Sequence, residues 1–317
     1  MKILLTTKLP AEGFEALHKR HTLEMPENAR FTPDELIVKI ADCDVLVSTY
    51  DYPIDAATIT AGKHLKLIAN FGVGFNNIDL QTAKKCGIIV TNTPTPVIGP
   101  TAEQTFTLML ACAHRTAELD RKMRQTDTIQ IGVMNNLGIG IDGKTLGIIG
   151  MGRIGQAVAQ RAVACGMNII YHNRHKLPDE TEQKCHARYV TRDELLHTAD
   201  FVVLLLPYTP ETHHLIDKNA FDKMKKGAVL VNTARGPIVD EQALIENLQN
   251  GRLWGAALDV FEHEPHIPDA LKQLDNVVMS PHIGTGTIDG RLAMCRCVAD
   301  NILHFAAGNI GEMNVVE

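Results

Sequence analysis

The chain is poor in three features that would point to particular classes of protein. Only 5% of its 317 residues are aromatic, and its 31 Lys and Arg residues are outnumbered by 37 Asp and Glu residues. No stretch approaches the roughly 18 consecutive apolar residues that a membrane-spanning helix needs. The formal net charge of -6 argues against a surface for nucleic acid or anionic membrane. Residues 1–7 become polar too soon for a signal peptide, so we expect a cytoplasmic protein.

Paired cysteines are also missing. The seven cysteines are an odd number and include no C-x-x-C pair. The two closest, Cys295 and Cys297, fall in a predicted helix, where they point in different directions. We therefore predict free, buried thiols. No metal is predicted either, because the histidines show no ligand spacing, and we interpret His213 and His214 as a surface pair.

What the chain has is an alternation of short β-branched runs with helical patterns, over a length that allows two domains of about 150 residues. This alternation predicts an α/β fold of two doubly wound, parallel-sheet (Rossmann-like) domains with a cleft between them. The predicted strands are residues 3–6, 45–48, 67–69, 88–91, 145–149, 168–171, 201–205, 228–232 and 277–279. The predicted helices are residues 10–18, 32–40, 79–85, 101–123, 154–164, 191–198, 218–223, 241–250 and 287–307.

Two features of this alternation suggest where the domains divide. A proline-rich break at residues 92–96 stops any helix. The last predicted helix, residues 287–307, has no strand after it, which suggests that it packs back on the first domain. We therefore predict a discontinuous substrate domain of residues 1–97 and 287–317, and a dinucleotide-binding domain of residues 98–286.

A G-x-G-x-x-G motif lies between a predicted strand and a predicted helix. In this position each glycine has its own task. Gly150 would make the tight turn, Gly152 would let the backbone approach a pyrophosphate, and Gly155 would let helix and strand pack closely. The N-terminus of the following helix would offer free N–H groups to the anion. The motif predicts a dinucleotide site.

The end of the next predicted strand bears on the choice of nicotinamide cofactor. NAD enzymes place an acidic residue about 20 residues beyond the glycines, where it binds the ribose 2′-hydroxyl. Here Asn173 and Arg174 stand in that region, and the first carboxylate is Asp179. Because Arg174 suits a 2′-phosphate, we predict a preference for NADP(H), with NAD(H) as the alternative.

Three strand ends carry residues suited to the reduction of a keto acid. Arg235 follows one strand, Asp259 and Glu264 follow another, and His282 follows a third. In open α/β sheets, sites are built at the carboxyl ends of strands. Hydride transfer to a carbonyl leaves an oxyanion that needs a proton donor and a positive clamp, which a histidine and an arginine supply. Glu262, two residues before Glu264, is a second candidate for the carboxylate.

With these motifs, the chain resembles the D-isomer-specific 2-hydroxyacid dehydrogenase family from residues 71–79 through the histidine motif. The resemblance implies that Arg235 binds the substrate carboxylate and carbonyl and that His282 is the acid/base. Glu264 would hydrogen-bond His282 and favour its protonated form. Backbone N–H groups of Val73 and Gly74 would hold the substrate carboxylate. Besides the glycines, Asn173 and Arg174, the cofactor residues would be Thr101, Arg153, Ile154, Pro207, Thr212, Thr233, Ala234 and Asp259.

The substrate is less strongly indicated. Phosphoglycerate dehydrogenases of this family typically carry an arginine just ahead of the Gly-x-Gly loop, where this chain has Asn70. We therefore expect a glyoxylate or hydroxypyruvate reductase, with phosphoglycerate dehydrogenase as the enzymatic alternative. A dinucleotide-sensing, corepressor-like binding protein is the alternative of another class. Related reductases often place a tryptophan across the dimer near residue 134, and here Met134 or Leu137 is left to fill that space. By analogy we expect a homodimer.

Overall fold

A computed structural model describes residues 1–126 and 128–316. The chain forms two compact units. The first unit is Met1–Val97 with Thr285–Glu317, and the second unit is Ile98–Gly284. Each unit contains one sheet, of five and seven strands respectively, in which all recorded pairs of strands are parallel. The predicted fold class, α/β with two Rossmann-like parallel sheets, is confirmed.

The first sheet has the order β2-β1-β3-β4-β5. Its central strands β3 and β4 are buried along their whole length, because helices cover both faces of the sheet. A buried strand of this kind needs apolar residues at consecutive positions, which is why the sequence pattern reveals it. The strands are β1 Lys2–Leu5, β2 Thr22–Glu24, β3 Val45–Thr49, β4 Leu67–Phe71 and β5 Ile89–Thr91.

The first unit also contains the last helix of the chain, α13, which packs against β4. Gly13 lies so close to α13 that an added Cβ would stand 2.1 Å from the Cβ of Cys295. Only glycine allows this approach. The helices of the unit are α1 Glu15–His18, α2 Pro33–Ile40, α3 Ala56–Ala61, α4 Leu80–Lys85 and α13 Ile288–Ala307.

The second sheet has the order β12-β11-β10-β9-β6-β7-β8. From β6 the chain runs outward through β7 and β8, then returns to add β9, β10, β11 and β12 on the other side of β6. Strand order therefore reverses between β6 and β9, where doubly wound sheets bind their ligands. The strands are β6 Thr145–Ile149, β7 Asn168–His172, β8 Ala187–Tyr189, β9 Phe201–Leu204, β10 Val229–Asn232, β11 Gly255–Leu258 and β12 Val277–Met279.

The prediction of one long helix at residues 101–123 is wrong, because two helices, α5 and α6, occupy this part of the chain. Arg115 interrupts them with a left-handed backbone (φ 58°), and its guanidinium pairs with Glu118. Ile139 N–H donates to the Ala113 carbonyl at this break, so tertiary contacts replace the next helical turn. The helices are α5 Ile98–Ala113, α6 Thr116–Gln125, α7 Arg153–Ala164, α8 Asp179–Lys184, α9 Arg192–Thr198, α10 Lys218–Lys223, α11 Glu241–Gln249 and α12 Asp269–Lys272.

Several short elements are absent from the predicted set. Strands β2 and β8 are three residues long, and β11 has the sequence Gly-Ala-Ala-Leu, which carries no β-branched side chain. Helices α3, α8 and α12 are six residues or fewer. Local pattern is too weak to mark elements of this kind. All seven cysteines are free, but Cys86 and Cys165 are exposed and Cys297 is only half-buried, so the prediction of burial fails for these three.

No helix in residues 1–126 and 128–316 is both long and apolar enough to cross a membrane.

Candidate active site

Three neighbouring strands of the second sheet, β10, β11 and β12, end at the same edge because they run parallel. Arg235 lies three residues beyond β10, Glu264 lies in the turn after β11, and His282 lies three residues beyond β12. The structure therefore brings the three predicted catalytic residues to one edge of one sheet.

His282 and Glu264 form a hydrogen-bonded pair. His282 Nδ1 lies 2.8 Å from Glu264 Oε2, and the two side chains are 22% and 34% exposed. Burial raises the pKa of the Glu264 carboxyl, but the hydrogen bond and charge of His282 outweigh it, and the net pKa lies below its usual value. Glu264 is therefore ionised at neutral pH. An ionised carboxylate only accepts hydrogen bonds, so the proton shared by this pair is carried on Nδ1 of His282.

Glu264 is also fixed from its other side, since Glu264 Oε1 accepts the Phe261 N–H at 2.9 Å. Its neighbour Glu262 faces a different set of groups. Glu262 Oε1 lies 2.6 Å from His214 Nε2, and Glu262 Oε2 accepts the Glu241 N–H at 3.2 Å. The carboxylate beside His282 is thus Glu264. His214, predicted as a surface residue, is half-buried in a specific pair.

The turn that carries Arg235 is packed tightly against the turn that carries Glu264. An added Cβ on Gly236 would lie 1.8 Å from the Phe261 carbonyl oxygen, so no larger residue fits there. The Asn232 side chain closes the first turn by donating to the Arg235 carbonyl at 2.9 Å. The positive charge of Arg235 is one of the influences that lower the pKa of Glu264.

The backbone of His282 is left-handed (φ 53°), a conformation that costs free energy in a non-glycine residue. Asp259 holds the turn in this state. Its carbonyl accepts the His282 N–H at 2.8 Å, and its Oδ1 accepts both the Ile283 N–H at 2.9 Å and the Ser280 hydroxyl at 2.5 Å. Gln104 on α5 donates to the same Ser280 hydroxyl at 3.2 Å. Burial raises the pKa of Asp259 despite these bonds.

The glycine motif between β6 and α7 has the backbone that a dinucleotide requires. Gly150 has φ +102°, and an added Cβ would lie 2.6 Å from the carbonyl carbon of Leu205. On Gly155 an added Cβ would lie 2.6 Å from the Gly150 oxygen. On Gly152 it would meet nothing within 4 Å, so open space stands over this residue. These residues fit a bound pyrophosphate.

A cavity of about 990 Å³ extends from this motif along the ends of β7 and β9. Its size is that of a pocket for a ligand larger than a simple acid. Asn173 takes part in the loop itself, because its Oδ1 accepts the Met151 N–H at 2.7 Å. The cavity is lined by Ile149, Gly150, Gly152, His172, Asn173, Arg174, His175, Thr191, Arg192, Asp193, Leu205, Leu206, Pro207, Thr209, Glu211, Thr212 and Leu215.

The comparisons with known proteins agree with one another. The profile of the D-isomer specific 2-hydroxyacid dehydrogenase, NAD binding domain, matches residues 106–284. A glyoxylate reductase from Thermococcus onnurineus is 41% identical over 314 residues, 98% of this chain and 94% of that protein. A Thermus thermophilus crystal structure covers 100% of both chains at 38% identity and a TM-score of 0.93. The structure of a Paecilomyes thermophila glyoxylate reductase is 34% identical, with a TM-score of 0.89, and covers 100% of this chain and 98% of that one.

The chain belongs to the D-isomer-specific 2-hydroxyacid dehydrogenase family. It is therefore an NAD(P)-dependent oxidoreductase of 2-hydroxy acids, and the family resemblance found in the sequence is confirmed.

The remaining predicted cofactor residues of this dehydrogenase lie at several places within the second unit. Pro207 and Thr212 line the cavity together with the glycine motif. Thr101 and Thr233 are both buried, and the Thr105 hydroxyl connects them through bonds of 2.7 Å to the Thr101 carbonyl and to the Thr233 hydroxyl. Arg153 and Ile154 open α7, and Ala234 precedes Arg235. Val73 and Gly74 lie in the first unit, in the loop after β4.

Three residues with an evident place in the site were missed from the sequence. Arg192 lines the same cavity as Arg174, although 18 residues separate them. Ser280 and Gln104 hold the histidine turn of the dehydrogenase through Asp259. No spacing rule marks these residues, because their partners come from other elements of the second unit. Within residues 1–126 and 128–316 no cluster of His, Cys, Asp and Glu could hold a metal ion.

Proposed function

We propose that this dehydrogenase reduces a small unphosphorylated 2-keto acid, glyoxylate or hydroxypyruvate, to the D-2-hydroxy acid in the cytoplasm. The observation that carries the proposal is the His282–Glu264 pair at 2.8 Å, beside the Arg235 turn. A bound reduced nicotinamide supplies the hydride. His282 donates the proton from Nε2 to the carbonyl oxygen, and Arg235 balances the charge that develops there. Glu264 holds the imidazole in place through its hydrogen bond to Nδ1.

Asn70 supports an unphosphorylated substrate. Its side chain is fully buried, and its amide donates to the carbonyls of Gly72 and Gly74. The amide is therefore committed to the loop and adds no positive charge for a phosphate. The names of the related glyoxylate reductases agree with this assignment. The phosphoglycerate alternative has no comparable support.

We propose NADP(H) as the preferred cofactor. Support comes from the cavity, where the end of β7 offers Asn173 and Arg174 in place of a carboxylate and Arg192 adds a second guanidinium. Asp193, which also lines it, forms an ion pair with Lys223 at 2.7 Å, which offsets its repulsion of a 2′-phosphate. Arginines that line a cofactor cavity favour NADP over NAD, because a guanidinium forms charge-assisted hydrogen bonds with a 2′-phosphate.

The test is steady-state reduction of glyoxylate, hydroxypyruvate and 3-phosphohydroxypyruvate, each with NADPH and with NADH. We expect the highest kcat/KM for an unphosphorylated acid with NADPH. A higher value for the phosphorylated acid would favour phosphoglycerate dehydrogenase, and a higher value with NADH would contradict the cofactor proposal. Binding of the dinucleotide without reduction of any of these acids would favour a sensing protein.

We also propose a homodimer. The apolar residues of α5 pack against α7 and the second sheet, so they do not supply the interface by themselves. Support comes instead from the segment after α6, where Ile131, Val133 and Met134 are 94%, 93% and 77% exposed. Clustered apolar side chains of this kind mark protein contacts. Sedimentation velocity should give the mass of two subunits at micromolar concentration, and Val133→Glu should shift the species toward one subunit.

A further inference from the structure

The loop after β4, residues 72–74, has all three of its carbonyl groups held by asparagine amides. Asn70 Nδ2 donates to the Gly74 carbonyl at 2.8 Å and to the Gly72 carbonyl at 3.2 Å. Asn92, which follows β5, donates from Nδ2 to the Val73 carbonyl at 2.9 Å. Two short polar side chains thus fix three consecutive peptide units.

Fixing a carbonyl also fixes the N–H of the same peptide unit. In a trans peptide the C=O and the N–H point in opposite directions. The N–H of Val73 belongs to the peptide unit of the Gly72 carbonyl, and the N–H of Gly74 belongs to that of the Val73 carbonyl. The Val73 N–H therefore points away from Asn70, which holds the Gly72 carbonyl, and the Gly74 N–H points away from Asn92, which holds the Val73 carbonyl.

The two asparagines are themselves held in place. Asn70 is fully buried, and its Oδ1 accepts the Ser48 hydroxyl at 3.0 Å. The backbone of Asn92 is tied to the C-terminal part of the first unit, since its N–H donates to the Asn314 carbonyl at 3.0 Å and its carbonyl accepts Asn301 Nδ2 at 3.1 Å. A donor pair oriented in advance binds an anion without the cost of ordering a loop.

We propose that Asn70 and Asn92 are positioning residues for the substrate, which orient the N–H groups of Val73 and Gly74 toward the carboxylate of a 2-keto acid. This inference rests on the proposed function, since it needs a carboxylate ligand for those N–H groups. Both amides are neutral, so neither asparagine adds a positive charge to the peptide dipoles of the loop. Such a site suits a monocarboxylate better than a phosphate ester, whose larger charge calls for Arg or Lys.

The test uses Asn92→Asp, which keeps the size of the side chain but replaces the amide donor with a carboxylate that repels the Val73 carbonyl. We expect the KM for glyoxylate and the inhibition constant of oxamate, a non-reducible keto-acid analogue, to rise about tenfold or more, the loss of roughly one charge-assisted hydrogen bond. The KM for NADPH and the kcat at saturating glyoxylate should change less than twofold. Asn92→Ala should raise the same two constants by a smaller factor.

Asn77 provides a matched control in the same unit, because its amide also binds two backbone carbonyls, those of Thr49 at 2.9 Å and Tyr52 at 3.1 Å. Asn77→Ala should lower the midpoint temperature of thermal unfolding and leave the inhibition constant of oxamate unchanged. If folded Asn92→Asp and Asn92→Ala both kept the wild-type KM for glyoxylate and the wild-type inhibition constant of oxamate, this inference would be overturned and the proposed function would stand. A wild-type protein that neither reduces a keto acid nor binds oxamate would instead overturn the proposed function, and this inference with it.

Discussion

At the scale of single residues, the candidate site depends on which carboxylate meets which imidazole. Glu264 and Glu262 are two positions apart, yet Glu264 faces His282 and Glu262 faces His214. Glu264 and Glu262 therefore belong to separate acid–imidazole pairs of the second unit. The Glu264 pair is at the ends of the strands that carry Arg235, and we assign the proton transfer to it.

The charge of Glu264 should affect how the rate of keto-acid reduction depends on pH. The pKa of Glu264 lies below its usual value, so the carboxylate stays charged across the neutral range, beside the His282 ring. In Glu264→Gln the amide keeps the hydrogen bond but loses the charge. We expect the alkaline limb of the kcat/KM profile for keto-acid reduction to move to lower pH.

Glu262→Gln is the matched control for this experiment, because it removes the same charge two residues away, beside His214. We expect that variant to keep the wild-type pH profile. If both variants shifted the alkaline limb equally, the effect would be a general one of net charge, and the tuning role of Glu264 would be refuted.

At the scale of single elements, local capping fixes where helices begin. Helix α2 has a reciprocal capping box, in which Thr32 Oγ1 accepts the Glu35 N–H at 3.3 Å and Glu35 Oε2 accepts the Thr32 N–H at 2.8 Å. Pro33 occupies the first helical position, where its missing N–H costs nothing. The predicted start of this helix from its sequence agrees with these contacts.

Thr32→Ala should lower the free energy of unfolding by about 1 kcal/mol, because it leaves an N–H of the first helical turn without its acceptor. Chemical denaturation followed by circular dichroism measures this change. Thr60→Ala is the control. Thr60 is an exposed residue of α3 whose hydroxyl donates to the Ala56 carbonyl at 2.7 Å, and its replacement by alanine should cost little. Equal losses in the two variants would argue against the capping box.

At the scale of the whole molecule, the resistance of the chain to acid should depend on a few buried carboxylates. Glu118 is nearly buried and accepts hydrogen bonds from Arg115 and Lys122, which lower its pKa from 4.5 to about 2. The pKa of Glu118 is lower in the folded chain than in the unfolded chain. The ionised Glu118 therefore stabilises the fold fully above pH 4.5, and this contribution is lost as the pH falls toward 2.

Glu118→Gln should therefore destabilise the protein at pH 7 by about 1–2 kcal/mol, a value reduced by the partial exposure of its partners, and should have less effect near pH 2. Thermal unfolding across this pH range measures both. The control is Asp120→Asn. Asp120 forms an ion pair with Arg124, but the side chains of Arg124 and Asp120 are 76% and 59% exposed, so this pair should contribute little to stability. A Glu118→Gln deficit that did not shrink in acid would show that the lost contact is not ionic.

The elements that were predicted and those that were missed differ in how strongly the neighbouring residues mark them. The central strands β3, β4, β6 and β9 were predicted within two residues of their bounds, because a strand covered on both faces needs a continuous apolar run. Strand β11 lacks β-branched residues, and β2 and β8 are three-residue edge segments, so nothing local marks them. The break at Arg115 was missed because neither glycine nor proline stands there and a distant carbonyl–amide contact holds it.

The sequence by itself determined the fold class, the family and the candidate residues Arg235, Glu264 and His282, since apolar periodicity and motif spacing are properties of neighbours along the chain. Only the tertiary structure decided which hydrogen-bond partner each of these side chains has. It separated Glu264 from Glu262, joined Ser280 and Gln104 to the histidine turn, and directed Asn70 and Asn92 onto the loop at residues 72–74. The physical reason is that hydrogen bonds are short and directional, and these connect atoms up to 176 positions apart in sequence.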